Sequence, residues 1–205
     1  MSYKPLFHLI FRTSVVLLTC PLLPVNINGQ DGFELLQSGR IEDALNFADK
    51  QLKKTEGQTD PLEYSAALNL KGNALRQLGQ LEQALSYHHH ALKIRKRHCG
   101  DDDLLASNSY QNIANCWLDQ RRTDSARYYI QRAIDIRTVL PGHEEELSSA
   151  LNTLSEVYRQ EKAYQKAADV IRLAIEKRRA MPNNRPEKLI PLLLNLSTIY
   201  LESGQ

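Results

Sequence analysis

The sequence predicts an all-α fold in which antiparallel helix pairs repeat along the chain. Helix-favouring residues dominate its 205 positions, and strand formers are thinly spread. Small residues recur every 41 or 42 positions, and a large side chain follows each of them three positions later. This combination lets two helices approach closely while the large side chains fill the space beside the contact. The small residues are Gly72, Ala114, Ser155 and Ser197, and the large ones are Leu75, Trp117, Tyr158 and Tyr200.

Two alanine columns predict the second helix of each pair. One column contains Ala44, Ala84, Ala126 and Ala167, and the other contains Ala91, Ala133 and Ala174. Because one pair cannot bury its apolar face alone, neighbouring pairs must stack into a continuous core. We expect first helices at 61–78, 103–120, 144–161 and 186–203, and second helices at 41–54, 81–98, 123–140 and 164–181.

Local signals support these helix starts. Asp60 followed by Pro61 predicts a capped first turn, and Pro186 repeats that signal. The acidic triplets 101–103 and 144–146 lie at the starts expected for the next two first helices, where the helix dipole favours negative charge. The triplets are therefore interpreted as helix starts rather than as general acids.

The columns resemble the tetratricopeptide repeat, whose pattern is W-x2-L-G-x2-Y, A-x3-F, A. The third and fourth repeats follow this pattern well, whereas the second has Lys71 in an apolar slot. The period of about 42 residues is similar to the longer variant in kinesin light chains, whose second helix tends to end in an Ile-Arg pair. The resemblance implies a right-handed superhelical solenoid over residues 31–205. The matching segments are Tyr110-x2-Ile113-Ala114-x2-Trp117, Leu151-x2-Leu154-Ser155-x2-Tyr158, Ile94-Arg95 and Ile136-Arg137.

The repeats divide the chain into a degenerate first repeat at 31–59, three repeats at 60–101, 102–143 and 144–185, and a half repeat at 186–205. The first helix of the first repeat is expected to be short, from Asp31 to Ser38. The half repeat lacks a second helix, so its apolar side chains are expected to be partly bare. Such a patch indicates either a longer protein or a docking partner. The side chains concerned are Leu192, Leu193, Leu196, Ile199, Tyr200 and Leu201.

The N-terminus is typical of a signal peptide, predicted at 1–29. Lys4 and Arg12 precede an apolar run from Ser14 to Leu23, which is shorter than a transmembrane helix. We therefore expect export to the periplasm or the extracellular space, and the alternative is a cytoplasmic protein. Lipid attachment at Cys20 is not expected, because Thr19 departs from the lipoprotein pattern. A membrane contact is expected only through this signal or a missing downstream segment.

Composition and motifs argue against an enzyme. Beyond the predicted signal the chain has 24 basic and 24 acidic residues, so no nucleic-acid partner is expected. No phosphate loop or nucleophile motif is present, and no cofactor, metal or small-molecule substrate is expected. The triplet His88-His89-His90 cannot converge on one ion, because successive helical residues point about 100° apart, and only His88 should face the core. The basic run at 93–97 is interpreted as an exposed helix flank, and Cys99 and Cys116 are expected to lie too far apart for a disulfide.

Amides on the first helices form the candidate binding site. In proteins with this resemblance, that side of the first helix lines a concave groove that holds an extended peptide. Asn offers both donors and an acceptor to a peptide backbone, and Arg could recognise an acidic ligand. The alternative is ordinary solvation of a polar face. The lysine clamp that some family members use for a terminal carboxylate is not reproduced. The candidate groove residues are Asn69, Asn73, Arg76, Gln111, Asn112, Asn115, Asn152, Arg159 and Asn195.

Two functions fit this sequence. The first is a protein–protein interaction scaffold that binds a peptide or partner protein in the concave groove. The second is an N-terminal sensory or regulatory segment of a larger bacterial enzyme, which the resemblance suggests would be a caspase-like CHAT peptidase or a sensor histidine kinase. The sequence names neither the partner nor the oligomeric state.

Overall fold

The computed structural model describes residues 28–56, 60–182 and 185–204, which form nine α-helices and one short 3₁₀ helix. The predicted signal peptide falls almost entirely outside these ranges, as does Cys20. None of the described helices combines the length and the apolar character that a bilayer span requires. The helices are α1 (Asn28–Gln37), α2 (Ile41–Thr55), α3 (Pro61–Gln77), α4 (Leu81–Cys99), α5 (Leu104–Asp119), α6 (Thr123–Val139), α7 (Glu144–Gln160), α8 (Tyr164–Arg179) and α9 (Ile190–Ser203), and the 3₁₀ helix is Pro186–Leu189.

The helix ends agree with the sequence signals to within two residues, except near the two ends of the described chain. Asp60 caps α3 by accepting a hydrogen bond from the backbone N–H of Leu62 at 2.9 Å. Asp103 caps α5 in the same way. α1 begins at Asn28, ahead of the expected Asp31. The α-helical start expected at 186 is wrong, because a 3₁₀ turn comes first and Pro191, which is tolerated in the first turn of a helix, makes α9 begin later.

The helices pack as antiparallel pairs, and each pair packs against the next. α3 lies against α4, α5 against α6 and α7 against α8, while each second helix also contacts the following first helix. Successive first helices touch directly, from α1 to α3 and onward to α9. Because the first helices approach one another in this way, they line the inner, concave side of the stack and the second helices lie outside. The predicted all-α solenoid of helix pairs is confirmed.

The turn inside each pair repeats one backbone conformation. A residue with positive φ occupies it, and the next residue donates its backbone N–H to the carbonyl five positions earlier at 2.9 Å. This is the Schellman arrangement, which satisfies a carbonyl at the helix end. Gly suits the position, but the third and fourth repeats use residues with a Cβ. The four turn residues are Gly39, Gly79, Arg121 and Lys162.

One buried position of the second helices holds histidine in the second repeat and isoleucine in the next two. The alanine columns of the core are fully buried, and so are Ile130 on α6 and Ile171 on α8. The equivalent residue of α4 is His88, also fully buried, whereas His89 and His90 are exposed as expected. A Cβ on Gly72 would lie 2.6 Å from Cε1 of His88. Gly72 therefore makes the space that the imidazole ring occupies.

The last helix is partly covered by the repeat before it. Leu192 and Ile199 are buried in the core cluster shared with α7 and α8, so the expectation that these two side chains are bare is wrong. They point back along the stack, whereas their neighbours point away from it. Leu196 and Tyr200 are half-buried as expected. The exposed apolar side chains of α9 are Ile190, Leu193, Leu194 and Leu201.

Candidate functional site

The predicted amide ladder consists of two hydrogen-bonded pairs on the first helices. Nδ2 of Asn112 on α5 donates to Oδ1 of Asn69 on α3 at 2.9 Å. Nδ2 of Asn195 on α9 donates to Oδ1 of Asn152 on α7 at 2.7 Å. The members of each pair are 43 residues apart, whereas Asn112 and Asn152 are 40 apart and form no hydrogen bond with each other. The structure therefore brings the four asparagines together across two repeat interfaces out of three.

One of these pairs continues into the core through His88. Nδ1 of His88 lies 3.0 Å from Oδ1 of Asn69, and since an amide oxygen only accepts, Nδ1 carries the proton. The other ring nitrogen, Nε2, is buried without a hydrogen-bond partner among the described residues. Burial, with help from the charges of Arg95 and Arg76, lowers the pKa of His88 to about 3. The ring is neutral at physiological pH and holds Asn69 in place.

The pairs leave polar atoms that face solvent. Nδ2 of Asn69 and Oδ1 of Asn112 have no hydrogen bond to the described residues. Both atoms are accessible at the protein surface. Water therefore reaches both atoms. Asn73, one helical turn after Asn69, is half-buried and its side chain has no hydrogen bond to the described part of the chain. Donors and an acceptor are thus presented together on the concave side of α3 and α5.

Gln111 and Asn115 lie at the interface between α5 and α7. Gln111 donates to Oγ of Ser149 at 3.0 Å, and its Oε1 accepts a short hydrogen bond from Arg137. Oδ1 of Asn115 accepts from Oγ1 of Thr153 at 3.2 Å. Both ends of the Gln111 amide are used within the protein, so this residue joins repeats. The amide N–H groups of Asn115 donate no hydrogen bond to the described residues.

The two candidate arginines are already paired with carboxylates of the next repeat. Nε of Arg76 lies 2.6 Å from Oδ2 of Asp119, and Nη1 of Arg159 lies 2.5 Å from Oε1 of Glu202. A hydrogen bond to Glu156 and the charges of Glu156 and Glu202 raise the pKa of Arg159 above its ordinary value. An acidic ligand would have to compete with these carboxylates. The charges of these two arginines are therefore already balanced by carboxylates of the protein.

A column of buried arginines was missed by the sequence reasoning. Lys93, Lys96 and Arg97 are exposed, as expected for a helix flank, but including Arg95 in that flank was wrong. Arg95 is 4% exposed and Arg137, at the same place in the next repeat, is 3% exposed. The recurring Ile-Arg pair was the signal for this column. The pair places an arginine at the same position of successive second helices.

Each buried arginine joins its own repeat to the next one. Nε of Arg95 donates to Oγ of Ser65 at 3.1 Å, and Nη1 donates to the carbonyl of Leu105 at 3.1 Å. Arg137 donates in the same pattern to Ser107 at 3.1 Å and to the carbonyl of Glu146 at 2.8 Å. Burial lowers the pKa of both guanidinium groups to about 10, so both remain charged at neutral pH. The oxygens that accept hydrogen bonds from these two charged groups are all uncharged hydroxyl, amide or carbonyl oxygens.

The third member of the column, Arg178, departs from this pattern. The hydroxyl of Ser148, equivalent to Ser107, donates to the carbonyl of Ala174 at 2.9 Å. Nε of Arg178 is therefore buried without a partner among the described residues. Nη1 instead forms an ion pair with Glu145 at 2.9 Å, and Glu145 also binds Lys188 at 2.5 Å. Three charged groups thus replace the neutral junction seen in the earlier repeats.

The two cysteines within the described ranges form no disulfide with each other. Cys116 is fully buried on α5, and burial raises the pKa of its thiol to about 12. Cys99 ends α4 and is half-buried, and no disulfide joins it to Cys116. No group of three potential metal ligands converges in the described ranges.

Comparisons with known proteins agree with this geometry. Residues 63–138 match the family described as Tetratricopeptide repeat. No curated protein matches the sequence of this chain. The match spans nearly all of α3 to α6, two helix pairs that include the buried Arg95 and Arg137.

Solved structures extend the similarity beyond those two pairs. BtubC (BKLC) from P. vanneervenii is 24% identical with a TM-score of 0.66, and the similarity covers 79% of this chain and 66% of that one. This chain thus spans just under two thirds of that protein's length. A Podosopora anserina protein named as a kinesin light chain with nearly identical TPR-like repeats is 13% identical with a TM-score of 0.67, covering 87% and 86%. The resemblance to kinesin-light-chain-like repeats is confirmed at the level of the fold.

Proposed function

Because residues 63–138 match the tetratricopeptide repeat family, we propose that this chain is an interaction scaffold whose concave face binds an extended segment of a partner protein. Repeats of this family generally mediate protein–protein interaction. The face is formed by α3, α5, α7 and α9, which contact one another in succession. The alternative, a regulatory segment of a larger bacterial enzyme, would use the same face and stays a prediction.

The observation that carries the proposal is the set of solvent-facing amide atoms on α3 and α5. Asn69, Asn73 and Asn112 present unused donors and an acceptor within one or two helical turns. An extended peptide backbone needs both kinds of partner, because each of its residues exposes an N–H and a C=O. The two candidate arginines, Arg76 and Arg159, are already paired with carboxylates of the protein. We infer that the ligand is recognised through its backbone more than through its charge.

The test uses peptides selected on the full chain from a displayed library of random twelve-residue sequences. Their affinities are then measured by fluorescence polarisation for the parent and for Asn73→Ala, Asn112→Ala and Asn152→Ala. Loss of one hydrogen bond to a bound peptide should weaken binding by about 3- to 10-fold. Lys93→Ala, on the exposed face of α4, is the matched control and should bind as the parent does.

The same variants separate binding from folding. Asn73 makes no side-chain hydrogen bond within the described structure, so Asn73→Ala should leave the melting temperature unchanged. Asn112→Ala removes the bond to Asn69 and should cost about 0.5–1.5 kcal/mol of stability as well. Selected peptides that bind all three variants and the parent equally well would contradict the concave-face proposal.

A further inference from the structure

On the outer side of the stack, a polar bridge fills the cleft between the second helices α4 and α6, above α5. Asp101 accepts a short hydrogen bond from the Tyr110 hydroxyl and forms ion pairs with Lys96 at 3.1 Å and Arg132 at 3.4 Å. The guanidinium of Arg132 also lies over the Tyr110 ring, 5.8 Å from its centre. Side chains from three helices and a loop thus fill the space.

The next cleft, between α6 and α8 above α7, has lost every member of that bridge. At the spacing of the surrounding helix columns, the lysine, the tyrosine and the arginine of the bridge are each replaced by an uncharged, non-aromatic side chain. A cleft of about 400 Å³ remains, with an apolar lining that includes Ile134 and Leu147. The replacements of Lys96, Tyr110 and Arg132 are Thr138, Leu151 and Leu173, and the loop residue Asp101 corresponds to Gly142 at a spacing of 41 and to His143 at a spacing of 42.

This open cleft has an unpaired cation at its edge. Lys177 lines the α8 side, at the position where the preceding repeat buries Ile136 to 2% exposure. Within the described ranges Lys177 forms no ion pair. Glu144 lies in the lining on the α7 side, and Arg137 has all three of its nitrogens bonded to protein oxygens. Lys177 is therefore the group that can meet an incoming negative charge, and Glu144 disfavours a second one at the opposite side.

We propose that the α6–α8 cleft is a second interaction site on the convex face, which binds a leucine-rich, acidic segment of a partner protein. Apolar side chains of the segment fill the cleft, and a carboxylate that follows them pairs with Lys177. Its volume is within the range of pockets that bury small ligands. Leu173, at 40% exposure, is an apolar side chain that such a partner would cover. The site is separate from the concave face and does not depend on it.

The probe is an acetylated, amidated peptide with two adjacent leucines followed by two glutamates. Control peptides replace the glutamates by glutamines or the leucines by serines. Each is titrated into the full chain with methyl-labelled Ile and Leu, and NMR shifts locate the binding. We expect shifts at Ile134, Leu147 and Leu173, with weaker binding of the glutamine peptide and none of the serine peptide.

Two variants test the two halves of the interaction. Lys177→Gln should weaken the glutamate peptide about three- to fivefold and leave the glutamine peptide unchanged. Leu173→Gln should weaken both about tenfold. The matched controls are Lys93→Gln on exposed α4 and Leu194→Gln on exposed α9, which should bind as the parent does.

Three results would overturn the proposal. The first is the absence of methyl shifts with the glutamate peptide, and the second is that the shifts occur at Leu193 and Leu201 of α9 instead. The third is that dodecanoate produces the cleft shifts while no peptide does, because the cleft would then bind a small apolar acid rather than a protein segment. Failure of the concave-face variants would leave these outcomes unaffected, since the Asn substitutions lie on the inner side of the stack.

Discussion

Gly72 and His88 form a tightly fitted contact in the core of the second repeat. A methyl group on Gly72 would lie 2.6 Å from Cε1 and 2.8 Å from each ring nitrogen of His88. The ring has little freedom to move, because it is fully buried and its Nδ1 is bonded to Asn69. Gly72→Ala should therefore push α3 and α4 apart or displace the imidazole from its hydrogen bond.

The expected cost follows from three contributions. Overpacking a core position costs about 1–3 kcal/mol. Displacing the ring from Asn69 loses a hydrogen bond of about 1 kcal/mol. The higher helix propensity of Ala than of Gly offsets about 1 kcal/mol of this loss. Gly72→Ala should thus lower the free energy of unfolding by about 1–3 kcal/mol, which is about 2–4 °C in melting temperature per kcal/mol.

A second substitution provides the rescue. His88→Ile combined with Gly72→Ala copies the equivalent residues of the next repeat, Ala114 and Ile130, which are both fully buried in the same core cluster. The double variant should be at least as stable as the parent, because the clash and the unsatisfied Nε2 are both removed. Asn69 then keeps its bond to Asn112.

The assay is urea unfolding followed by circular dichroism, with the slope of the transition checked for each protein. A midpoint of Gly72→Ala that equals that of the parent would refute the steric reasoning. So would a double variant whose loss of stability equals the sum of the two single losses, since contacting residues should not be additive.

Three further predictions rest on other contacts. Because burial lowers the pKa of His88 to about 3, the unfolded chain binds a proton between about pH 6.5 and 3 that the folded chain does not. Stability should therefore fall as pH decreases through this window, by up to about 1.4 kcal/mol per pH unit, and His88→Ile should remove that slope in urea titrations. Arg137→Met should lower the unfolding free energy by about 2–4 kcal/mol, because its oxygen partners stay buried, whereas Arg97→Met on the exposed flank should unfold at the parent's urea midpoint. Lys162→Gly should stabilise the protein by about 1 kcal/mol in thermal unfolding, because Lys162 has a φ of 59°, and a decrease would show that its side chain contributes more than the strain costs.

The repeat architecture could be predicted from the sequence because its determinants are local. Spacings of 41 and 42 residues between small side chains identify the equivalent positions of successive repeats, and helix periodicity predicts which of these positions face inward. The same reasoning identified His88 as the core member of its triplet. Helix starts were predictable where a capping side chain such as Asp60 lies next to the first turn.

The candidate site could be predicted only in part. Its asparagines were found as a column, and the structure places them on adjacent first helices. Their pairing was not predictable, because bonded partners are 43 residues apart while the repeat spacing is 41 or 42. Asn69 and Asn152 lie three residues before the small residue of their repeat, whereas Asn112 and Asn195 lie two residues before it, so the bonded partners are not equivalent positions.

The sequence by itself determined the helices, their pairing and the residues that fill each pair's core. Tertiary structure decided what joins one pair to the next: the burial of Arg95 and Arg137, the ion pair of Arg76 with Asp119, and the open cleft beside Lys177. The physical reason is that helix formation and pairing depend on neighbours within one repeat. A junction depends on whether a charge finds an oxygen or a carboxylate on the adjacent repeat, and that is settled only when the repeats stack.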